Sequence, residues 1–165
     1  VATRASPPMA DKQPAILLTT DGSPDSLAAV GPTTALAERL GARVILLTVV
    51  CEGTPPSAPP ALLPATVGAW NRRLEAEVVA ARQRLEQLAE GIRARLGGTD
   101  RVEVVVVRAE CVEAVIASLA AVRGAQFIAM ASHGRSGVKR LLLGSVTEEV
   151  IRRASTPVIV FPIAA

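Results

Sequence analysis

The chain has 165 residues, 50% of them hydrophobic, which suffices for one domain with a full core and is too short for two of ordinary size. Aromatic residues supply only 2%, so Ala, Val and Leu must fill the interior, as in strands covered on both faces by helices. A formal charge of +3 with its bases dispersed among Glu does not point to DNA or RNA, residues 1–14 hold no apolar core of signal-peptide length, and no apolar run approaches membrane-spanning length.

Residues 1–14 are polar with three prolines and are expected to be a loosely ordered segment ahead of a single domain of residues 15–165. The aliphatic run from Ala15 to Thr20 reads as a first strand. Asp21-Gly22-Ser23-Pro24 follows as a turn and helix start, with Ser23 as N-cap and Pro24 at the first helical position. The helix should run to Leu40 and stop at Gly41. Gly31-Pro32 falls inside it, and an interior proline costs about 3 kcal/mol, so a kink or break is expected there.

Arg43 to Val50 is too continuously apolar for an exposed strand and should lie inside the sheet. Glu52 to Thr66 carries five prolines and no periodicity, which reads as a long mobile flap rather than a functional lid. From Trp70, the residues Leu74, Val78, Ala81, Leu85, Leu88, Ile92 and Leu96 recur at spacings of three and four. They predict a long amphipathic helix closed by Gly97-Gly98, with Glu75, Arg82 and Glu86 on its solvated face. Val102 to Val107 is a third strand, Val112 to about Gly124 a short helix, and Gln126 to Ala131 a fourth strand. Ser145 to Ala154 is the last helix, and Val158 to Phe161 a fifth strand bracketed by Pro157 and Pro162.

This alternation predicts an α/β fold: a five-stranded parallel doubly wound sheet with helices on both faces. The order 3-2-1-4-5 is taken on doubly wound precedent. Ligands of such sheets bind beyond the carboxyl ends of the strands where the order reverses, between strands one and four. Asp21 and the glycines of Met130 to Val146 both follow strand ends, so they share that rim. In the second segment a buried-type strand runs into spaced glycines and then a helix start. Glycines let the main chain come close to an anion, and the helix supplies unpaired N–H groups and the positive end of its dipole. The pattern is that of a phosphate cradle, and its ligand would be a nucleotide.

The spacing of Gly134, nine residues, then Gly144-Ser145 resembles the universal stress protein family, whose nucleotide-binding members carry Gly-two-Gly-nine-Gly-Ser/Thr after the fourth strand. Thr20-Asp21-Gly22-Ser23 is similar to that family's first strand ending, Leu46-Leu47-Thr48-Val49 to its second, and Thr147 to Val160 to its closing helix and strand. The resemblance implies a cytoplasmic stress-response protein that binds ATP, with Mg²⁺ held through the phosphates. It implies main-chain groups of Val49 against adenine, Asp21 near the ribose or metal, and Gly134, Gly144, Ser145 and Val146 around the phosphates. Thr20, Ala131, His133, Arg135, Gly137 and Thr147 flank these positions and complete the candidate set. The first glycine of the pattern is Ala131 here, which is costly only if that position requires positive φ.

Plainer readings stand beside these. Ser145 and Glu148 form a capping-box pattern, Asp21 could simply make a turn with Gly22, and Arg135, Lys139 and Arg140 could be solvated surface rather than a screen for a triphosphate. A lone His133 beside Ser132 and Ser136 lacks the orienting group and oxyanion site of a hydrolase, so no catalytic residue is named and at most a very slow ATPase is expected. Cys51 and Cys111 form no metal pair and fit a reduced compartment; they follow strands two and three, and read as unreacted thiols although a redox contact is conceivable. The apolar fifth strand at the sheet edge predicts a homodimer through that edge. The alternative is a nucleotide-free dimerisation module of the same fold, its pocket closed by Ala131.

Overall fold

In the computed structural model, which describes residues 13–54, 57, 59, 61–132 and 143–163, five parallel strands are ordered β3-β2-β1-β4-β5. They are β1 (Ala15–Thr19), β2 (Arg43–Cys51), β3 (Val102–Ala109), β4 (Phe127–Ala131) and β5 (Val158–Phe161). The chain starts in the middle of the sheet: Leu17 of β1 faces Ile45 of β2 on one side and Ile128 of β4 on the other. The expected order 3-2-1-4-5 is therefore the observed one, and the reversal lies between β1 and β4.

Side-chain alternation sorts the core into two layers. Ile16, Leu18, Val44, Leu46, Ala129 and Ala131 face α2 (Val30–Leu40) and α3 (Leu63–Leu96). Leu17, Ile45, Leu47, Ile128 and Met130 face α4 (Val112–Val122) and α5 (Ser145–Arg153). Ile16, Leu17 and Leu18 are wholly buried, and each such side chain contributes about 1.5–3 kcal/mol of transfer free energy. A strand covered on both faces must be continuously apolar, which is why periodicity two is invisible in β1 and β2.

Three local readings are corrected. The helix after β1 breaks, but at Ala28-Ala29 rather than at Gly31-Pro32, giving a short α1 (Pro24–Leu27) before α2. A proline ring clashes with the carbonyl four residues back, here that of Ala28. Starting a new helix at Val30 places Pro32 in its first turn, where its missing N–H has no partner to lose. The long helix α3 begins at Leu63, seven residues before Trp70, with Pro64 in its first turn, so residues 63–66 of the expected flap are helical, while 55, 56, 58 and 60 lie outside the described residues. Finally, Ser145 is the first residue of α5 and not its cap; the N-cap is Gly144, with no side-chain cap bond.

A single 3-10 turn, Thr99–Arg101, joins α3 to β3. From it the Arg101 guanidinium donates to the carbonyls of Leu96 (3.0 Å), Ala37 (3.2 Å) and Ala42 (2.7 Å). One cation thus ties together the carboxyl ends of α2 and α3, where the helix dipoles favour positive charge.

Candidate functional site

At the switch point β1 ends in a dense hydrogen-bonded turn. The Thr20 N–H extends the ladder by donating to Leu47 O (3.0 Å), and the Thr48 hydroxyl donates to Thr20 O (2.7 Å). The Gly22 N–H donates to Thr20 Oγ1 (3.0 Å), and Ser26 Oγ donates to Ser23 O (2.9 Å). Because the single Ser26 proton is used there, the 2.7 Å contact between Thr20 Oγ1 and Ser26 Oγ must have threonine as donor. Asp21 Oδ1 accepts from Ser23 N–H (2.9 Å), an Asx turn that holds the carboxylate at the rim. Gly22 has φ of 77°, and a side chain there would meet Arg84 of α3 at 3.5 Å, so glycine is needed for the turn itself.

Across the switch point, β4 ends at Ala131 and α5 begins at Ser145. The Gly144 N–H donates to Ser132 O (2.8 Å), and the buried Thr147 hydroxyl donates to Ala131 O (3.2 Å). Together they hold the first turn of α5 over the end of β4. Gly144 itself has φ −59° and ψ 147°, a conformation open to any residue. Ala131 lies in extended strand, in register with Phe161, so alanine meets no backbone penalty there. Its methyl belongs to the core layer of Leu18 and Ala29.

The first-turn N–H groups of Ser145, Val146 and Thr147 have no partner within α5, since its ladder starts with Glu148 N–H to Gly144 O (3.0 Å). They carry the positive end of the helix dipole. The arginines of the last turn are engaged at the other end: Arg152 and Arg153 hydrogen bond to Glu149 and hold its carboxyl below the usual range, and Arg153 approaches Glu113 of α4 at 3.8 Å.

Between β1, β4, α4 and α5 opens a cavity of about 310 Å³. Thr20, Asp21, Val49, Ala131, Gly144, Ser145, Val146 and Thr147 all line it, so eight candidate residues from four separated stretches converge on one space. His133, Gly134, Arg135 and Gly137 lie outside the described residues. Gly144 lines the cavity with its own N–H donated to Ser132 O.

Five lining residues escaped the sequence reading: Thr19, Ser26, Met130, Val112 and Ile116. Met130 shares strand parity with Ile128, and Thr19 with Leu17, so a face assignment would have found both. Val112 and Ile116 are one turn apart on α4 and were legible only as core. Chemically, the arrangement is an apolar wall (Val49, Val112, Ile116, Met130) beside hydroxyls, one carboxylate and a set of amides. It suits a molecule with a flat apolar part and an anionic part. No helix among the described residues is long and apolar enough to cross a membrane.

Comparison with known proteins places the molecule. UspA, a universal stress protein from Lactobacillus plantarum, shares the fold with a TM-score of 0.76 at 22% identity, over 91% of this chain and 98% of that one. The solved structure of MJ0577 matches at a TM-score of 0.69 and 28% identity over 92% of this chain and 97% of its own. In sequence, universal stress protein MJ0577 of Methanocaldococcus jannaschii is 47% identical over 45 residues, which span only 27% of this chain and 28% of that protein. A universal stress protein from Archaeoglobus fulgidus in complex with dAMP has a TM-score of 0.59 at 18% identity, covering 90% and 97% of the two chains. A universal stress protein in complex with cAMP has a TM-score of 0.54 at 22% identity, covering 92% of this chain and 98% of that one. Residues 14–162, which include everything from the start of β1 to the end of β5, match the universal stress protein family, and the chain belongs to it.

Proposed function

We propose that this protein binds an adenine nucleotide, ATP with Mg²⁺ at its phosphates, as a cytoplasmic homodimer in the response to stress. The observation that carries the reading is the cavity at the switch point, in which an apolar wall and the open first-turn amides of α5 border the same space. The base would rest against Val49, Val112, Ile116 and Met130. The phosphates would take the amides of Ser145 to Thr147, and the ribose hydroxyls or the metal ion would lie near Asp21. Like charges repel, so the Asp21 carboxylate favours a hydroxyl or a divalent cation over a phosphate as its ligand neighbour. The dAMP and cAMP complexes of other universal stress proteins support an adenine nucleotide as the ligand class. Binding rather than turnover is the claim.

The competing reading, a nucleotide-free module closed by Ala131, is disfavoured by the extended conformation of that residue and by the open volume beside it. Dimer formation is supported by β5, which among the described residues pairs only with β4 and carries Val158, Ile159, Val160 and Phe161 partly exposed. Equilibrium titration with a fluorescent ATP analogue in the presence of Mg²⁺ tests the proposal. Saturation in the micromolar range, reversed by unlabelled ATP and lost in Gly144→Val, is the expected result; no saturable signal in the unaltered protein refutes it.

A further inference from the structure

Two thiols flank the cavity wall without belonging to it. Cys51 is the last residue of β2 and Cys111 the residue immediately before α4, and both are exposed. Parallel pairing sets Cys51 opposite Ala109, and the ladder continues as Glu52 N–H donates to Ala109 O (3.0 Å). Cys51 has the strand parity of Ile45, Leu47 and Val49, all packed on the α4 layer, so its side chain leaves the sheet on the face from which α4 starts. Its Sγ lies 4.0 Å from the carbonyl oxygen of Glu110. Across a trans peptide that oxygen is about 2.8 Å from the following Cα, which brings Cys51 Sγ within about 7 Å of the Cys111 Cα. In a closed disulfide the sulfurs are about 2.05 Å apart and the Cα atoms about 4.4–6.8 Å apart, so the Cys51 sulfur must still approach the Cys111 side chain by a few ångström. The remaining movement falls on the Glu110 bend and the start of α4, where Cys111 makes no side-chain cap bond.

We propose that Cys51 and Cys111 form a peroxide-responsive dithiol whose closure to a disulfide draws the first turn of α4 onto the end of β2 and alters the cavity. One thiol attacks a hydroperoxide, breaking the O–O bond to give a sulfenic acid and an alcohol, or water when the oxidant is hydrogen peroxide. The second thiol attacks the sulfenyl sulfur, the S–O bond breaks, and water leaves with the remaining proton. Two thiols are oxidised by two electrons and one peroxide is reduced. The lever acts on the wall directly: Val112, next to Cys111, and Ile116, one turn further, line the cavity, as does Val49, two residues before Cys51. The effect on ligand affinity rests on the nucleotide reading; closure of the disulfide does not.

The test treats the reduced full-length protein with hydrogen peroxide. Intact mass should fall by two hydrogen masses and return with dithiothreitol, peptide mapping should show a Cys51–Cys111 link, and amide exchange over residues 112–118 should slow. Cys51→Ser and Cys111→Ser should each abolish all three changes. Oxidation should also weaken binding of the ATP analogue about fivefold or more, the lower end of ordinary coupling between sites, in the unaltered protein and not in Cys51→Ser. Retention of both thiols, overoxidation of one, or links only between molecules overturns the proposal, as does a disulfide that leaves exchange and affinity unchanged. Should the reduced protein bind no analogue, the nucleotide reading falls, while mass and exchange still decide the disulfide.

Discussion

Gly144→Ser separates a residue kept for the fold from one kept for a ligand. The N-cap of α5 has φ −59° and ψ 147°, which serine adopts freely, and its bond from N–H to Ser132 O is unaffected by a side chain. A serine there can offer Oγ to the N–H of Val146 or Thr147, and a serine cap exceeds a glycine cap by a few tenths of a kcal/mol. Replacing glycine at a compatible position adds about 0.4–1 kcal/mol by reducing the freedom of the unfolded chain. The sum is about 1 kcal/mol, so the melting temperature should rise by about 2–4 °C. The same hydroxyl occupies an amide that a phosphate would use. A hydrogen bond to a charged group is worth about 1.5–3 kcal/mol. Losing one should therefore raise the Kd for ATP about tenfold to a hundredfold. Calorimetry and titration on the same sample should move in opposite directions. A rise in stability with unchanged affinity would show that these amides hold no ligand. A fall in stability would show that the absence of a side chain at residue 144 serves packing.

Arg101→Met removes three charge-assisted bonds to Leu96, Ala37 and Ala42, for about 1.5 kcal/mol each at the lower end of their range, so the melting temperature should drop by about 9–18 °C without change in nucleotide affinity. A drop under about 2 °C in a thermal scan would remove the cation's role at the two helix ends. Pro32→Ala should destabilise by less than about 1 kcal/mol in a denaturant titration, because first-turn proline costs the helix nothing and restricts the unfolded chain; a gain of about 3 kcal/mol would indicate an interior proline. Ile159→Lys places a charge on the edge strand and should convert a dimer to monomer in sedimentation. Unchanged sedimentation as a dimer would move the interface elsewhere.

Local chemistry was enough to announce every strand of this protein and most helix ends. Gly41 and Gly97, at φ of 63° and 74°, terminate α2 and α3 as C-caps where their positions predict. Continuous apolar runs marked strands covered on both sides, and the rim shared by Asp21 and Gly144 followed from strand alternation alone. Tertiary structure decided what depends on groups distant in sequence. The break in the first helix is by contrast local, set by the clash of Pro32 with the carbonyl of Ala28 four residues upstream, and was legible in the sequence. Whether Ser145 caps α5 was settled by Ser132, whose carbonyl captures the Gly144 amide and makes that residue the cap. Val112 and Ile116 read as core in any periodicity argument, and became cavity wall because β1 and β4 diverge to helices on opposite faces and leave a gap beneath α4 that no local pattern encodes.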